Sequence, residues 1–363
     1  MIYMRLVMKK IIVINLGSTS TKLAYFEDDA CVAKKTVEHK AEEIRQFKSI
    51  WEQKEYRVQV INEFMQEVNV TAEELSAFVT RGGHTVPIVG GVYLVNQLMA
   101  DMSRSEKYGN HISDLGLQIA REYGDKYNLV PLTVDSPCTD EFEPLARYSG
   151  LKEIERVSRF HALNQKAAAR EYAKDIGKNY EDLNLIVCHL GGGSSVAAHQ
   201  KGLMIDGPNG LDGDGPFSTN RCCGLPVGAL VELCYSGKYT YQEMRRKLNG
   251  LGGLMSYIGE TDVKKICEEI EKGNVQYKEA LDAMCYQHAK AIGEMAAVLK
   301  GNVDAIIFTG GIAYSEYVIN NISEYVSFIA PVVVKAGEFE MKSLGTNAYY
   351  ALTGKVEIKE IKQ

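Results

Sequence analysis

The chain has 363 residues, enough for two domains that each bury a core, and an ordinary globular composition with 45% hydrophobic and 24% charged residues. A net charge of -6 argues against a surface built to neutralise nucleic-acid phosphates, and no stretch approaches the ~20 uninterrupted apolar residues of a membrane span. The eight cysteines are scattered, with neither the paired spacing of a zinc site nor a disulfide framework, so thiols in a reducing cytoplasm are expected.

Lys9 and Lys10 precede an apolar run, Ile11 to Ile14, that is too short for a signal-peptide core. Ile11 to Leu16 is β-branched and ends in Gly-Ser-Thr-Ser-Thr; Lys22 to Phe26 and an acidic turn follow, predicting a β-hairpin. Thr71-Ala-Glu-Glu74 and Thr240-Tyr-Gln-Glu243 fit the capping box, in which threonine and glutamate satisfy orphan amides reciprocally. Asp114 to Tyr123 predicts an amphipathic helix with Gly124 as its C-cap. Arg245-Arg246-Lys247 reads as the solvated face of a helix. Tyr277 to Lys300 predicts a long helix closed by Gly301, and Asp304 to Thr309 a buried strand entering Gly310-Gly311.

The segment Ile12-Val-Ile-Asn-Leu-Gly-Ser18 is echoed by Ile186-Val-Cys-His-Leu-Gly-Gly192. In both, an apolar strand ends in one polar residue, then Leu, Gly and small residues. A repeated supersecondary unit predicts two related α/β domains facing one another. Glycine turns after apolar strands are natural phosphate cradles, because the backbone can approach an anion and offer its amides. Neither Gly-x-x-x-x-Gly-Lys-Ser/Thr nor Gly-x-Gly-x-x-Gly occurs, so P-loop and Rossmann readings lack their main support.

Six segments stand in a fixed order: Asn15-Leu-Gly-Ser-Thr-Ser-Thr-Lys22, Arg81-Gly-Gly, Phe160-His-Ala-Leu-Asn-Gln-Lys166, His189-Leu-Gly-Gly-Gly-Ser-Ser195, Leu211-Asp-Gly-Asp-Gly-Pro-Phe217 and Phe308-Thr-Gly-Gly-Ile312. Together they resemble the butyrate kinase family, a branch of the acetate kinase group within the actin-like, sugar-kinase and heat-shock-ATPase superfamily. The resemblance runs from about Ile11 to Gly354. It implies an α/β fold of two ribonuclease-H-like domains with an active-site cleft between them. The first would span 1–155, with 342–363 packing back on it; the second, nucleotide-binding, would span 156–341.

The implied activity is reversible transfer of the γ-phosphoryl group of ATP to a short-chain carboxylate, butanoate first, giving acyl phosphate and ADP. The resemblance places Asn15, Ser18 and Lys22 at a phosphate-facing turn and Arg81 against the acceptor and transferring group. Asp135 would organise Mg2+ or the acceptor, with Glu340 as a second magnesium position. His161, His189 and Gly191-Gly192-Gly193 would line the phosphates, Arg221 would neutralise the other side, and Gly310-Gly311 would meet adenosine. It also implies a homo-oligomer, a dimer or larger. Phosphoryl transfer needs positioning and spread positive charge more than covalent help, and a carboxylate acceptor, already ionised, needs no general base.

Plainer readings compete at several positions. Arg-Gly-Gly is commonly a surface turn, the histidines can be core residues, and Asp135 can cap a turn before Pro137. Asp212 and Asp214, between glycines, read as turn residues. Departures from the family pattern fall at Leu16, His84-Thr85, Ser136-Pro137-Cys138 and Cys222-Cys223, most of them beside the acceptor positions. They leave open another short or branched acid, a hydroxyl kinase with Asp135 as base, or a nucleotide-binding relative whose acceptor site has drifted. Gly83 is expected to leave room for an acid longer than acetate; Cys138, Cys222 and Cys223 read first as inert thiols, and the competing reading is an acidic, oxidation-prone thiol beside Arg221.

Overall fold

The structure is a computed structural model and describes residues 8–211 and 213–362, so Asp212 lies outside it. The chain divides into two compact units, one up to Thr139 together with the return from Phe339, the other Asp140–Glu338. Its strands are β1 (Lys10–Leu16), β2 (Ser20–Glu27), β3 (Ala30–Glu38), β4 (Ala77–Thr80), β5 (Val92–Leu94), β6 (Val130–Val134), β7 (Asn184–His189), β8 (Ser195–Gln200), β9 (Leu203–Asp206), β10 (Ala305–Gly310), β11 (Val332–Ala336) and β12 (Ile358–Lys359).

The first sheet has the order β12-β5-β6-β4-β1-β2-β3, and the second β11-β10-β7-β8-β9. In each, three consecutive strands form an antiparallel meander, and two later strands add in parallel beside its first. Thus β3-β2-β1-β4-β6 and β9-β8-β7-β10-β11 share order and direction, and the sequence echo places β1 and β7 at equivalent positions. The central strands β7 and β10 are buried throughout, as continuous Val/Ile/Leu-rich runs require. Edge strand β3 instead carries Lys34 and Lys35, which discourages pairing with another chain.

Helix Ile112–Tyr127 covers one face of the first sheet, where Ile14, Phe64, Phe78, Leu115 and Ile119 share a core. Helix Glu340–Leu352 packs on β1, β2, β4 and β6, with Gly345 lying against the Phe26 ring, where a Cβ would come within 2.4 Å. In the second unit helix Val275–Val298 packs on β7 and β8, and helix Ala162–Asp175 on β7 and β10. The chain exchanges two of these helices. Ala162–Asp175 follows β6 but covers the second sheet, and Glu340–Leu352 follows β11 but covers the first. Each exchanged helix thereby begins beside the C-terminal end of β1 or β7.

The boundaries differ from the sequence reading at both ends. Residues 140–155 belong to the second unit: Glu141 pairs with Lys166 at 2.8 Å and accepts the Met204 N–H, while Glu143 N–H donates to Ile205 O. Phe339 to Met341 belong to the first unit, where Glu340 meets Asn15. Helix Ile112–Tyr127 also runs past Gly124. Asn128 supplies the left-handed cap at φ 54°, and Gly124 lets Pro131 approach, since a Cβ there would be 2.9 Å from Pro131 Cγ. The Thr240–Glu243 box caps helix Tyr241–Leu248, whereas Thr71–Glu74 closes only the single turn Ala72–Glu74.

Candidate active site

At the end of β1, the Gly17 N–H donates to Ser20 O at 2.8 Å and closes a tight turn with Ser18 and Thr19 exposed. Arg57, fully buried, holds this turn from behind. Its Nη2 donates to Gly17 O, its Nη1 to Ser20 O and Thr21 Oγ1, and Nε and Nη2 both reach Gln53 Oε1. Those five bonds use every guanidinium N–H. Burial pushes the Arg57 guanidinium down to about 10, which leaves it cationic at neutral pH. Lys22 stands opposite Asn15 in the β1–β2 register.

Asn15 is buried and donates its Nδ2 hydrogen to Glu340 Oε2 at 2.7 Å, while Arg81 Nη2 lies 3.9 Å from Glu340 Oε1. Glu340 opens its helix, where a carboxylate complements the helix dipole. Arg81 is shaped by its glycines. A Cβ on Gly82, at φ +86°, would sit 2.5 Å from Thr133 Oγ1, and one on Gly83 would sit 2.3 Å from Asp114 Oδ1. Asp114 is fully buried and accepts the backbone N–H of His84 and of His111 and the His84 Nδ1. The space above Gly83 is therefore filled by Asp114, which overturns the expectation that Gly83 opens room for a longer acid.

Asp135 follows β6 in the left-handed region at φ 41° and exchanges two bonds with Gly91: its Oδ1 accepts the Gly91 N–H at 2.9 Å and its N–H donates to Gly91 O at 3.0 Å. A buried aspartate held in an unfavourable backbone conformation is a mark of functional sites. Among the described residues no three His, Cys, Asp or Glu side chains gather into a metal cage. Mg2+ in phosphotransferases commonly takes only one or two carboxylates and completes its shell with phosphate oxygens and water. The oriented carboxylates of Asp135 and Glu340 suit that chemistry.

In the second unit, His161 occupies the N-cap position of helix Ala162–Asp175, and its ring stacks on His189 at the end of β7, centroids 3.9 Å apart and 12° from parallel. His161 Nδ1 lies 2.9 Å from Ser195 Oγ, and His189 Nδ1 lies 2.9 Å from Asn164 Nδ2. Gly191-Gly192-Gly193 forms the turn from β7 to β8. The Arg221 guanidinium packs so tightly on Gly193 that a Cβ there would fall 1.9 Å from Nη1. Arg221 Nη1 also donates to Gly210 O at 3.2 Å, and Gly192 O accepts the Ser218 hydroxyl. Gly310, at φ +89°, leaves no space for a Cβ against Leu190 O and exchanges backbone bonds with Gly337; Gly311 opens a single turn with space around it.

Asp214 is a turn residue, accepting the Asn209 N–H and pairing with Arg156. Cys222 fits the inert reading rather than the acidic one: burial pushes its pKa up, and its Sγ lies 3.1 Å from Lys247 O. Sequence reasoning gave no role to Asn164 and Gln165, although both lie in a quoted motif. It passed over Arg57 altogether and read Asp114 only as the start of a helix, although Asp three residues after His111 has the spacing of a capping box.

Two sheets of one topology, each ending a central strand in a glycine turn beside the start of an exchanged helix, define the two-domain fold of the actin-like and sugar-kinase superfamily. Among solved structures, acetate kinase from Porphyromonas gingivalis matches with a TM-score of 0.77 at 17% identity, covering 95% of this chain and 100% of that one. A propionate kinase from Francisella tularensis matches at 0.71 with 19% identity over 94% of this chain and 99% of that one. The model of the acetokinase family matches residues 149–330. Butyrate kinase 1 of Clostridium acetobutylicum is 46% identical over 355 residues, 98% of this chain and 100% of the relative. A probable butyrate kinase of Enterococcus faecalis is 46% identical over 347 residues, 96% of each. The chain belongs to the acetokinase family, within its butyrate kinase group.

Proposed function

We propose that this chain is a carboxylate kinase that reversibly moves the γ-phosphoryl group of ATP to butanoate, giving butanoyl phosphate and ADP. The observation that carries the reading is the full-length similarity to butyrate kinases, with Asn15, Arg81 and Glu340 bonded into one cluster. Butanoate rests on those relatives, since Gly83 does not provide the acyl room. The acceptor carboxylate is already ionised, so its obstacle is repulsion by the triphosphate. Arg81 orients the acceptor and Arg221 offsets charge on the transferring group, while His161 and His189 donate to its oxygens. The amides of the turns after β1 and β7 cradle phosphates, and Gly310-Gly311 lies against adenosine. Asp135 and Glu340 would hold Mg2+ together with the phosphates, and the ion would supply neutralising positive charge there.

Helix Val227–Tyr235 has no buried residue, with Val227 73% and Tyr235 88% exposed, which supports a homo-oligomer. All eight cysteines are free thiols, which supports a cytoplasmic setting. Among the described residues no helix is long and apolar enough to cross a membrane.

The reading is tested by trapping acyl phosphate as hydroxamate from Mg-ATP and straight-chain acids from acetate to hexanoate. Butanoate should give the highest kcat/KM, and Arg81→Ala should lower it by about 10²-fold or more. No trapped product with any acid, from protein that binds ATP, would defeat it.

A further inference from the structure

Two neighbouring side chains in the first turn of helix Ala162–Asp175 decide where the protons sit on the stacked histidines. Thr309 Oγ1 donates its only hydrogen to Gly337 O at 3.2 Å, a carbonyl that can only accept. Toward Asn164, 3.1 Å away, the same oxygen must therefore accept, which turns the Asn164 amide so that Nδ2 faces it. Asn164 is fully buried, and its second N–H points at His189 Nδ1. That ring nitrogen can only present its lone pair. The proton of His189 consequently sits on Nε2, which lies at the glycine turn, where a Cβ on Gly191 would come within 3.2 Å of it.

The adjacent Gln165 is fixed by the same logic. Its Nε2 donates to the Ser195 carbonyl at 3.2 Å and to Ser195 Oγ at 2.7 Å. The carbonyl excludes the flipped amide. With Oγ accepting from Gln165 and, at 3.5 Å, from the His161 backbone N–H, both its lone pairs are used and the Ser195 hydroxyl hydrogen is directed to His161 Nδ1 at 2.9 Å. Behind Gln165, its Oε1 accepts from His199 Nε2 at 2.9 Å, and Tyr180 OH donates to His199 Nδ1 at 2.7 Å. His199 is held neutral by burial, and further by the Lys166 and Arg170 charges, so this polarity does not reverse near neutral pH.

We infer that Asn164 and Gln165 are positioning residues that lock His189 and His161 as neutral imidazoles protonated on Nε2. Each ring then offers an uncharged N–H donor and keeps its lone pair on the side away from it. The close parallel stacking suits two neutral rings and opposes two cations. Such donors need no protonation event, and they match a reaction whose acceptor requires no base. The catalytic consequence rests on the proposed role of the two rings at the transferring phosphoryl group; the proton positions do not.

The test uses the full chain labelled with 15N-histidine, read by two-bond proton–nitrogen spectra, with kcat followed against pH. In the unsubstituted protein both Nδ1 atoms should be unprotonated at neutral pH. Asn164→Asp replaces a donor by an acceptor of the same shape and should put a proton on His189 Nδ1. The new carboxylate raises the His189 pKa. Below it the cationic ring keeps its Nε2–H; above it the neutral ring keeps Nδ1–H and Nε2 is bare. Among the described residues, the titratable and charged groups beside His189 include the stacked His161 and Arg221 on the adjoining turn at Gly193. For Asn164→Asp, kcat should therefore fall by about tenfold or more between pH ~6 and ~9, while the parent shows no such limb. Thr309→Val, which frees the Asn164 amide to flip, should mix the His189 tautomers and serves as the second variant. A parent ring protonated on Nδ1, or a His189 signal indifferent to both variants, would overturn the lock. A tautomer that moves while kcat stays flat would confirm the lock and refute His189 as a donor to the phosphoryl group.

Discussion

Asn15 and Glu340 are 325 positions apart in the chain, yet the Asn15 amide donates to the Glu340 carboxylate at 2.7 Å. The bond joins the end of β1 to the first residue of an exchanged helix. Its counterpart in the second unit is the contact of His189, at the end of β7, with His161, at the start of the other exchanged helix. The duplicated fold thus builds the same junction twice and fills it with different chemistry, a carboxylate and amide in one unit and two imidazoles in the other.

Glu340→Gln keeps the shape of this junction and removes a charge. It should raise the Mg2+ concentration for half-maximal rate by about tenfold or more while leaving the melting temperature close to that of the parent. Magnesium titration of the steady-state rate reads the effect; an unchanged requirement would remove Glu340 from the metal site.

Arg57 should couple stability to nucleotide binding. Arg57→Met strands the Gly17 and Ser20 carbonyls and should cost about 3 kcal/mol or more in urea unfolding. Arg57→Lys keeps the charge without the fork and should raise KM for ATP several-fold, because the turn loses its two-carbonyl clamp. Equal KM values in the parent and the lysine variant would make Arg57 purely structural.

Gly193→Ala should separate catalysis from folding. The added methyl would collide with the far end of Arg221, a flexible side chain that can swing away, so the fold should survive. Loss of the positioned guanidinium should lower kcat by about 10²-fold, measured beside an unchanged thermal melt.

Acid should destabilise the protein through its buried histidines. His288 is fully buried; burial pushes its pKa from 6.5 down to about 4, and its Nε2 has no hydrogen-bond partner among the described residues. The unfolded chain takes up this proton first, so the stability present above pH 6.5 declines as pH falls toward about 4. The loss from this residue is on the order of 3 kcal/mol. His199, His39 and His111 are lowered too and act in the same direction. His288→Leu should flatten the urea midpoint between neutral pH and pH ~5, and an unchanged slope would contradict this.

The fold was legible where the signal is local and apolar. The β1 and β7 runs are buried because nearly every residue is hydrophobic, and each stops at a polar residue before glycine, so the duplication appears in the letters. The candidate site residues Asn15, Arg81, His189 and Gly310 were named as members of an ordered motif string. The rest depends on contacts between distant segments. Nothing near Gly83 announces that Asp114 fills the space above it, and Gly124 looks like a helix stop until Pro131 is seen against it. Arg57 carries no signal in the letters, because three of its four acceptors, Gly17 O, Ser20 O and Thr21 Oγ1, lie in a segment that only the fold brings against it. The exchange of helices moved both domain boundaries, since connectivity alone does not say which sheet a following helix will cover.

The reverse reaction, followed by 31P NMR, tests the central claim most directly. Butanoyl phosphate supplied with Mg-ADP should lose its resonance as the γ-phosphate of ATP grows in equal amount. Release of inorganic phosphate alone, with ADP unchanged, would contradict phosphoryl transfer between a carboxylate and a nucleotide.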